Sequence, residues 1–300
     1  MSVDKVIRDP LWATLVGALV AAIVMSFFVL VQSGEAAQVA DEQSYEPKIV
    51  GGTAVPNGKY PFIAALLDTR RPGTTPFDKH FCGGTLIDKN SVLTAGHCVD
   101  DDTEAPGVQL SPTAPLRVTV GRTVLNSKQG QVRRVSRIVV HPDLRPNRSG
   151  AYDVAVLKLI GSVSGIQPIK LATEKQNNLE TPGRKLTVAG WGLTGFNGTY
   201  PNRLRQAQVP VVSDRRAERS YDAVLGPSGY VPPLMIAAGN SRVNGCVGDS
   251  GGPLFDSGSR TQVGIVSGGY YKCGTARYTG VYTEVNNPNI RNFIVSAAER

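Results

Sequence analysis

Ser250 lies in Gly248-Asp249-Ser250-Gly251-Gly252-Pro253-Leu254. A serine hydroxyl is a weak nucleophile until a base takes its proton and nearby N–H groups can receive an oxyanion. Glycines on both sides suit the second need, because backbone without a Cβ can turn its amides toward one point and admit a substrate. The same string could form a plain flexible loop, so the chemistry depends on a base. The chain has three histidines: His80, His97 and His141. His80 and His141 read as surface or satisfied core side chains. His97 stands apart in Leu93-Thr94-Ala95-Gly96-His97-Cys98, where an apolar strand runs into a small-residue turn. A third group must fix the imidazole tautomer and stabilise the imidazolium. Asp153 opens Tyr152-Asp153-Val154-Ala155-Val156-Leu157-Lys158-Leu159, an alternating run rich in β-branched residues that suits a half-buried strand.

These three motifs, in the chain order His97, Asp153, Ser250, resemble those of the chymotrypsin/trypsin family of serine proteases. Subtilisins and α/β-hydrolases carry the same groups in other orders. The resemblance implies a serine endopeptidase acting on polypeptides. Ser250 attacks the scissile carbonyl, His97 is general base and then general acid, and Asp153 orients His97. The N–H groups of Gly248 and Ser250 form the oxyanion hole, and Ser267, Gly268 and Gly269 bind the substrate backbone as an added strand. No cofactor and no metal is implied. A binding protein on the same fold is the rival, and an esterase with little peptidase activity is a third reading. Non-catalytic relatives usually lose a triad residue, and all three stand here.

Ile49-Val50-Gly51-Gly52 follows Lys48 and resembles the family's mature amino terminus. Cleavage there turns an amide into an α-ammonium with an ordinary pKa of about 7.7–8.0. By resemblance that ammonium is buried against Asp249, and the pairing organises the nucleophile loop. The chain is then an inactive zymogen until it is cut after Lys48.

Cys82, Cys98, Cys246 and Cys273 allow three pairings. The resemblance selects Cys82–Cys98, beside the histidine, and Cys246–Cys273, across the specificity pocket. No CxxC or HExxH spacing suggests zinc. Disulfides imply an oxidising, extracytoplasmic compartment.

The family's specificity pocket has its floor two residues before the pocket cysteine, which here is Asn244. Trypsin-like members carry Asp there. Asn244 hydrogen-bonds but cannot cancel a buried cation. Gly269 and Gly280 match the wall glycines. An open, neutral pocket implies that P1, the residue before the scissile bond, is not strictly basic. An enzyme that rejects basic P1 cuts its own Lys48 site poorly and needs activation in trans, whereas one that accepts basic P1 can activate itself. Gly268 stands where relatives carry an aromatic.

Leu11 to Val31 is a nearly continuous apolar run of 21 residues. As a helix it would span about 30 Å, the thickness of a bilayer's hydrocarbon core. Signal-peptide apolar regions run about 7–15 residues, so a signal anchor is the first reading and a cleaved signal peptide the second. The expected organisation is a tail over 1–10, the apolar helix over 11–31, a propeptide linker over 32–48 and a protease domain over 49–300. Residues 1–48 hold no cysteine. Cleavage after Lys48 should therefore free the catalytic part from any membrane attachment.

The chain carries +8. Residues 1–48 hold three basic and six acidic groups, which leaves 29 basic and 18 acidic groups, a net +11, in 49–300. Arg133-Arg134 and Arg215-Arg216 are too short to imply nucleic-acid binding, and the charge reads as the solvated surface of a secreted enzyme open to protein inhibitors. Asp100-Asp101-Asp102 with Glu104 reads as a solvated loop. Short strand-like runs recur at Arg117–Val120, Val135–Val140, Leu186–Ala189 and Gln262–Ser267. By resemblance the fold is all-β: two six-stranded antiparallel barrels, over about 62–170 and 180–285, with the site in the cleft. Asn287-Pro288-Asn289-Ile290 reads as the cap and first turn of a closing helix, with Ile290, Phe293, Ile294 and Ala297 inward.

Overall fold

The computed structural model describes residues 49–100, 110–144, 150–227, 229–269, 272–274 and 278–300. The apolar run, Lys48, and Asp101, Asp102 and Glu104 lie outside these. Among the described residues no helix is long and apolar enough to cross a membrane.

A two-residue strand, β1 (Thr53–Ala54), leads into the first barrel. That barrel comprises β2 (Ile63–Asp68), β3 (His80–Leu86), β4 (Ser91–Thr94), β5 (Leu116–Val120), β6 (Gln131–Val140) and β7 (Ala155–Leu159). It closes in the spatial order β2-β3-β4-β7-β6-β5, every pair antiparallel. After β8 (Lys170–Leu171) come β9 (Lys185–Gly190), β10 (Arg205–Val212), β11 (Met235–Ala238), β12 (Pro253–Asp256), β13 (Thr261–Gly269) and β14 (Gly280–Glu284). The ring β9-β10-β11-β14-β13-β12 closes on itself as the second barrel, because β10 and β12 both pair with β9. The expected strand runs all fall within strands. Closure leaves neither sheet with a long open edge.

Two short strands lie outside or at the limit of the expected barrel ranges. Both β1 and β8, which flank the first barrel in sequence, join the second barrel's sheet, β1 on β10 and β8 in parallel on β13. The backbone groups of two residues have no length to extend the first barrel, and they pair where the second barrel offers free positions.

Alternation explains which faces are buried. In β6, the exposed Ser136 and Arg137 lie between the buried Val135 and Ile138, where a bulge interrupts the pairing with β7, and before them Arg134 is exposed and Arg133 half-buried. β2, β4 and β7 are buried on both faces, since the barrel interior lies on one side and the second barrel or the closing helix on the other. An aromatic seam joins the barrels: Phe255 of β12 meets Phe62 edge-on at 5.4 Å and Tyr60 at 5.0 Å. Such pairs contribute about 0.5–1.5 kcal/mol each beyond their burial.

The closing helix, α3 among α1 (Pro76–Lys79), α2 (Asp214–Leu225) and α3 (Pro288–Glu299), forms as its sequence implies. Asn287 caps it by accepting from the amides of Asn289 (3.0 Å) and Ile290 (3.3 Å), with Pro288 in the first turn. Ile290, Ile294 and Ala297 are buried, and Phe293 is half-buried with its ring 4.7 Å from that of His141. Full burial of each isoleucine contributes about 1.5–3 kcal/mol. Lys158 on β7 fastens the helix, donating to Ser91 Oγ (2.8 Å) and to the Ala298 carbonyl. The helix thereby returns the chain's end to the first barrel.

Candidate active site

His97 sits in a short 3-10 turn, Gly96–Cys98, at the end of β4. Asp153 lies just before β7, which pairs with β4 through Thr94↔Ala155. Strand pairing therefore delivers the acid to the base. Asp153 Oδ2 lies 2.7 Å from His97 Nδ1, and Asp153 Oδ1 accepts the His97 backbone N–H at 2.9 Å. Two contacts fix both the ring and the turn. Ser267 donates its hydroxyl to the same Oδ2 at 2.6 Å, and Thr283 donates to the Asp153 carbonyl at 2.8 Å. The second barrel thus grips an aspartate that the first barrel presents. The resemblance placed Ser267 only on the substrate side, and its hold on Asp153 comes from tertiary packing.

These contacts set the charges. Burial alone would push the Asp153 carboxyl up, but His97 and the Ser267 hydroxyl more than offset it and hold it below the ordinary carboxylate value. Burial alone would lower His97, and the Asp153 charge and hydrogen bond outweigh that, so its net shift is upward. The site pairs an ionised acid with an imidazole whose basicity is raised. His80 and His141 behave differently. Burial drives His80 down to about 4, against the edge of Trp191, and lowers His141, which stacks on Tyr152 at 4.5 Å.

Ser250 comes from the turn before β12 and is docked on the histidine's own support. The Ser250 carbonyl accepts from the Gly83 amide at 2.7 Å, and the Gly83 carbonyl accepts from Thr94 Oγ1 at 2.8 Å. Gly83 follows Cys82, whose disulfide to Cys98 closes the histidine turn. Gly251 has φ +78°, and a Cβ on it would fall 2.2 Å from Thr94 Oγ1 and 2.5 Å from the Gly83 carbonyl. Only glycine can sit there. Among the described residues Ser250 Oγ makes no hydrogen bond. His97 Nε2 has Cys98 Sγ at 3.9 Å. Serine–imidazole contacts of this kind are often loose until substrate binds.

Behind Ser250 lies a cavity of about 140 Å³ lined by Asn244, Val266, Gly268, Gly269, Gly280 and Tyr282. The Cys246–Cys273 disulfide forms part of its rim. The expected pocket residues meet there. Val266 and Tyr282 are lining residues that the sequence motifs did not single out. Beyond Val266, among the described residues, β13 pairs with β14 on one side only, which leaves the other backbone edge of Ser267–Gly269 without a strand partner there.

Asp249, beside Ser250, is fully buried. Its oxygens accept from the amides of Gly192 (2.7 Å) and Cys246 (2.9 Å). Burial outweighs those bonds and pushes it up to about 6. Ile49 is also fully buried, in the same core cluster as Val188, Leu254 and Tyr282. The Val50 carbonyl accepts the Asn244 amide at 3.3 Å, which ties the start of the described chain to the pocket floor.

Two closed barrels that share a histidine–aspartate pair and a glycine-bracketed serine define a two-barrel serine hydrolase. The trypsin family's sequence profile matches residues 49–294. The chain is 35% identical over 252 residues to trypsin-1 of Astacus astacus, covering 79% of this chain and 95% of that protein. It is 35% identical over 239 residues to the trypsin of Saccharopolyspora erythraea, covering 79% and 93%. It is 34% identical over 253 residues to the venom peptide isomerase heavy chain of Agelenopsis aperta, covering 80% and 96%. The chain belongs to the trypsin family and is a serine endopeptidase that acts on polypeptides.

Proposed function

We propose that the chain is an extracytoplasmic endopeptidase made as a zymogen, with its protease domain over 49–300. Ser250 Oγ attacks the scissile carbonyl while His97 Nε2 takes its proton. The carbonyl oxygen, now an oxyanion, receives hydrogen bonds from the amides of Gly248 and Ser250. Each such donor is worth about 10²–10³ in rate. His97 then returns the proton to the leaving amine, and an acyl-enzyme on Ser250 remains. Water, deprotonated by His97, hydrolyses that ester. Asp153 keeps the ring oriented and balances the imidazolium. The observation that carries this reading is the double contact of Asp153 with His97, on the segment that also docks the Ser250 loop.

Maturation is cleavage between Lys48 and Ile49. The buried Asp249, held up at about 6 with only amide donors among the described residues, supports it, since a new ammonium at Ile49 would be a suitable partner. The neutral Asn244 in the pocket supports a P1 preference that is not strictly basic, and hence a separate activating protease. Two disulfides and the +11 of residues 49–300 suit work outside the cytoplasm. Residues 11–31 anchor the precursor in a membrane. The experiment is to cut purified precursor after Lys48 and follow fluorophosphonate labelling and peptide hydrolysis. Labelling and turnover should appear together on cleavage and vanish in Ser250→Ala. Full-length Lys48→Gln protein as active as cleaved wild type would refute the zymogen reading.

A further inference from the structure

We propose that the pocket beside Ser250 selects a neutral, hydrogen-bonding P1 side chain, glutamine foremost, which Asn244 Oδ1 and the Tyr282 hydroxyl read together. This rests on the protease reading above and names its substrate class. Asn244 Oδ1 and Tyr282 OH are buried side-chain atoms without a hydrogen-bond partner among the described residues. They converge. A Cβ placed on Gly280 would lie 2.7 Å from Asn244 Oδ1 and 2.9 Å from Tyr282 OH. All three residues line the cavity that Ser250 also lines. The Asn244 amide is oriented, because its Nδ2 donates to the Tyr278 carbonyl (3.4 Å) and leaves Oδ1 toward Gly280.

The pair offers an acceptor and a hydroxyl. A P1 primary amide supplies the complement, an N–H₂ for Asn244 Oδ1 and a carbonyl for Tyr282 OH. Water can serve both atoms in an open pocket. An apolar P1 displaces that water and leaves both atoms desolvated and unpaired, and sites built to hydrogen-bond reject such analogues strongly. A cationic P1 fares poorly for a second reason. Between Asn244 and Glu284 the chain's acids are Asp249 and Asp256. Both oxygens of Asp249 accept backbone amides, and Asp256 is engaged by Arg184 (3.1 Å) and Ser259. No carboxylate in that stretch is left to meet a lysine in the pocket.

Methionine and glutamine match in chain length and differ in hydrogen bonding, which makes them the decisive pair. Protein cut after Lys48 is assayed on one peptide series with Gln, Met, Leu, Lys or Glu at P1, with Ser250→Ala as control. The expected kcat/KM for Gln exceeds that for Met by roughly 10–10². Tyr282→Phe should shrink the Gln-to-Met ratio about tenfold, and Asn244→Asp should move preference to Lys. Fluorophosphonate labelling reports whether each variant is folded, and Asn244→Leu tests the same ratio if Tyr282→Phe is not. Met or Leu cleaved as fast as Gln, Lys or Glu ahead of all, or a labelled enzyme that cleaves none of the five overturns the assignment. Absence of labelling in the cleaved wild type overturns the protease reading beneath it.

Discussion

At His97 two opposed effects meet. Burial disfavours the imidazolium, while Asp153 favours it, and the net is a raised pKa. The ring must be neutral to accept the Ser250 proton, so activity rises with pH through an apparent pKa above 6.5. Asp153→Asn removes the favouring charge and leaves the burial. The acid limb of kcat/KM should then move to lower pH. The equivalent change in chymotrypsin-fold proteases lowers kcat by about 10⁴, and the same order is expected here. A pH–rate profile checks both, and an unmoved acid limb would dissociate Asp153 from the base. Asp249 makes a second residue-scale prediction. Its folded pKa of about 6 lies above the ordinary 3.8. The proton is therefore held more tightly in the folded state, and its contribution is present at low pH and lost as pH rises from about 4 to 6. The difference is on the order of 3 kcal/mol. Urea unfolding of an uncleavable Lys48→Gln precursor should show that loss, and its Asp249→Asn version should lack it. After cleavage the Ile49 ammonium should reverse the slope, and matching slopes before and after cleavage would sink the pairing.

Elements carry these groups to one place by ordinary means. β4 and β7 pair in register, so the residues at their ends, His97 and Asp153, meet. The Cys82–Cys98 disulfide closes a 16-residue separation around the turn that bears His97. Loop-closure reasoning assigns such a bridge about 3 kcal/mol. Cys82→Ser with Cys98→Ser should lower the unfolding free energy by about that amount and depress activity further at 37 °C, as read by denaturant unfolding alongside initial rates. Unchanged kinetics would mean that strand pairing alone holds the turn. The α3 cap was plain in the sequence because Asn-Pro before an apolar periodicity is a local signal. α2 was not, since six of its twelve residues are charged and the short stripe Ala217, Tyr221, Val224 and Leu225 buries only its first two members.

At the scale of the molecule the two barrels divide the labour. The first presents His97 and Asp153, and the second presents Ser250, the cavity beside it and the end of β13. The Phe62–Phe255 contact and the Ser267–Asp153 hydrogen bond cross between them. If cleavage falls after Lys48 as proposed, residues 1–48 offer no cysteine to tie them to the protease domain. Fractionation before and after cleavage at Lys48 should move the protease from the membrane pellet to the supernatant. Mature protein that resists a salt wash would contradict this.

The sequence by itself determined the order of His97, Asp153 and Ser250 and the neutral character of residue 244, which are properties of residue type and spacing. Its motifs carried the family resemblance, and that resemblance implied the pairing of the four cysteines. Only the tertiary structure decided that Ser267 holds Asp153 from the opposite barrel, that β1 and β8 complete the second sheet, and that Tyr282 shares the pocket with Asn244. Those contacts join residues separated by 114 positions in the case of Ser267 and Asp153. No local periodicity records such a separation, because it is set when two closed sheets pack and their unsatisfied polar groups find partners across the seam.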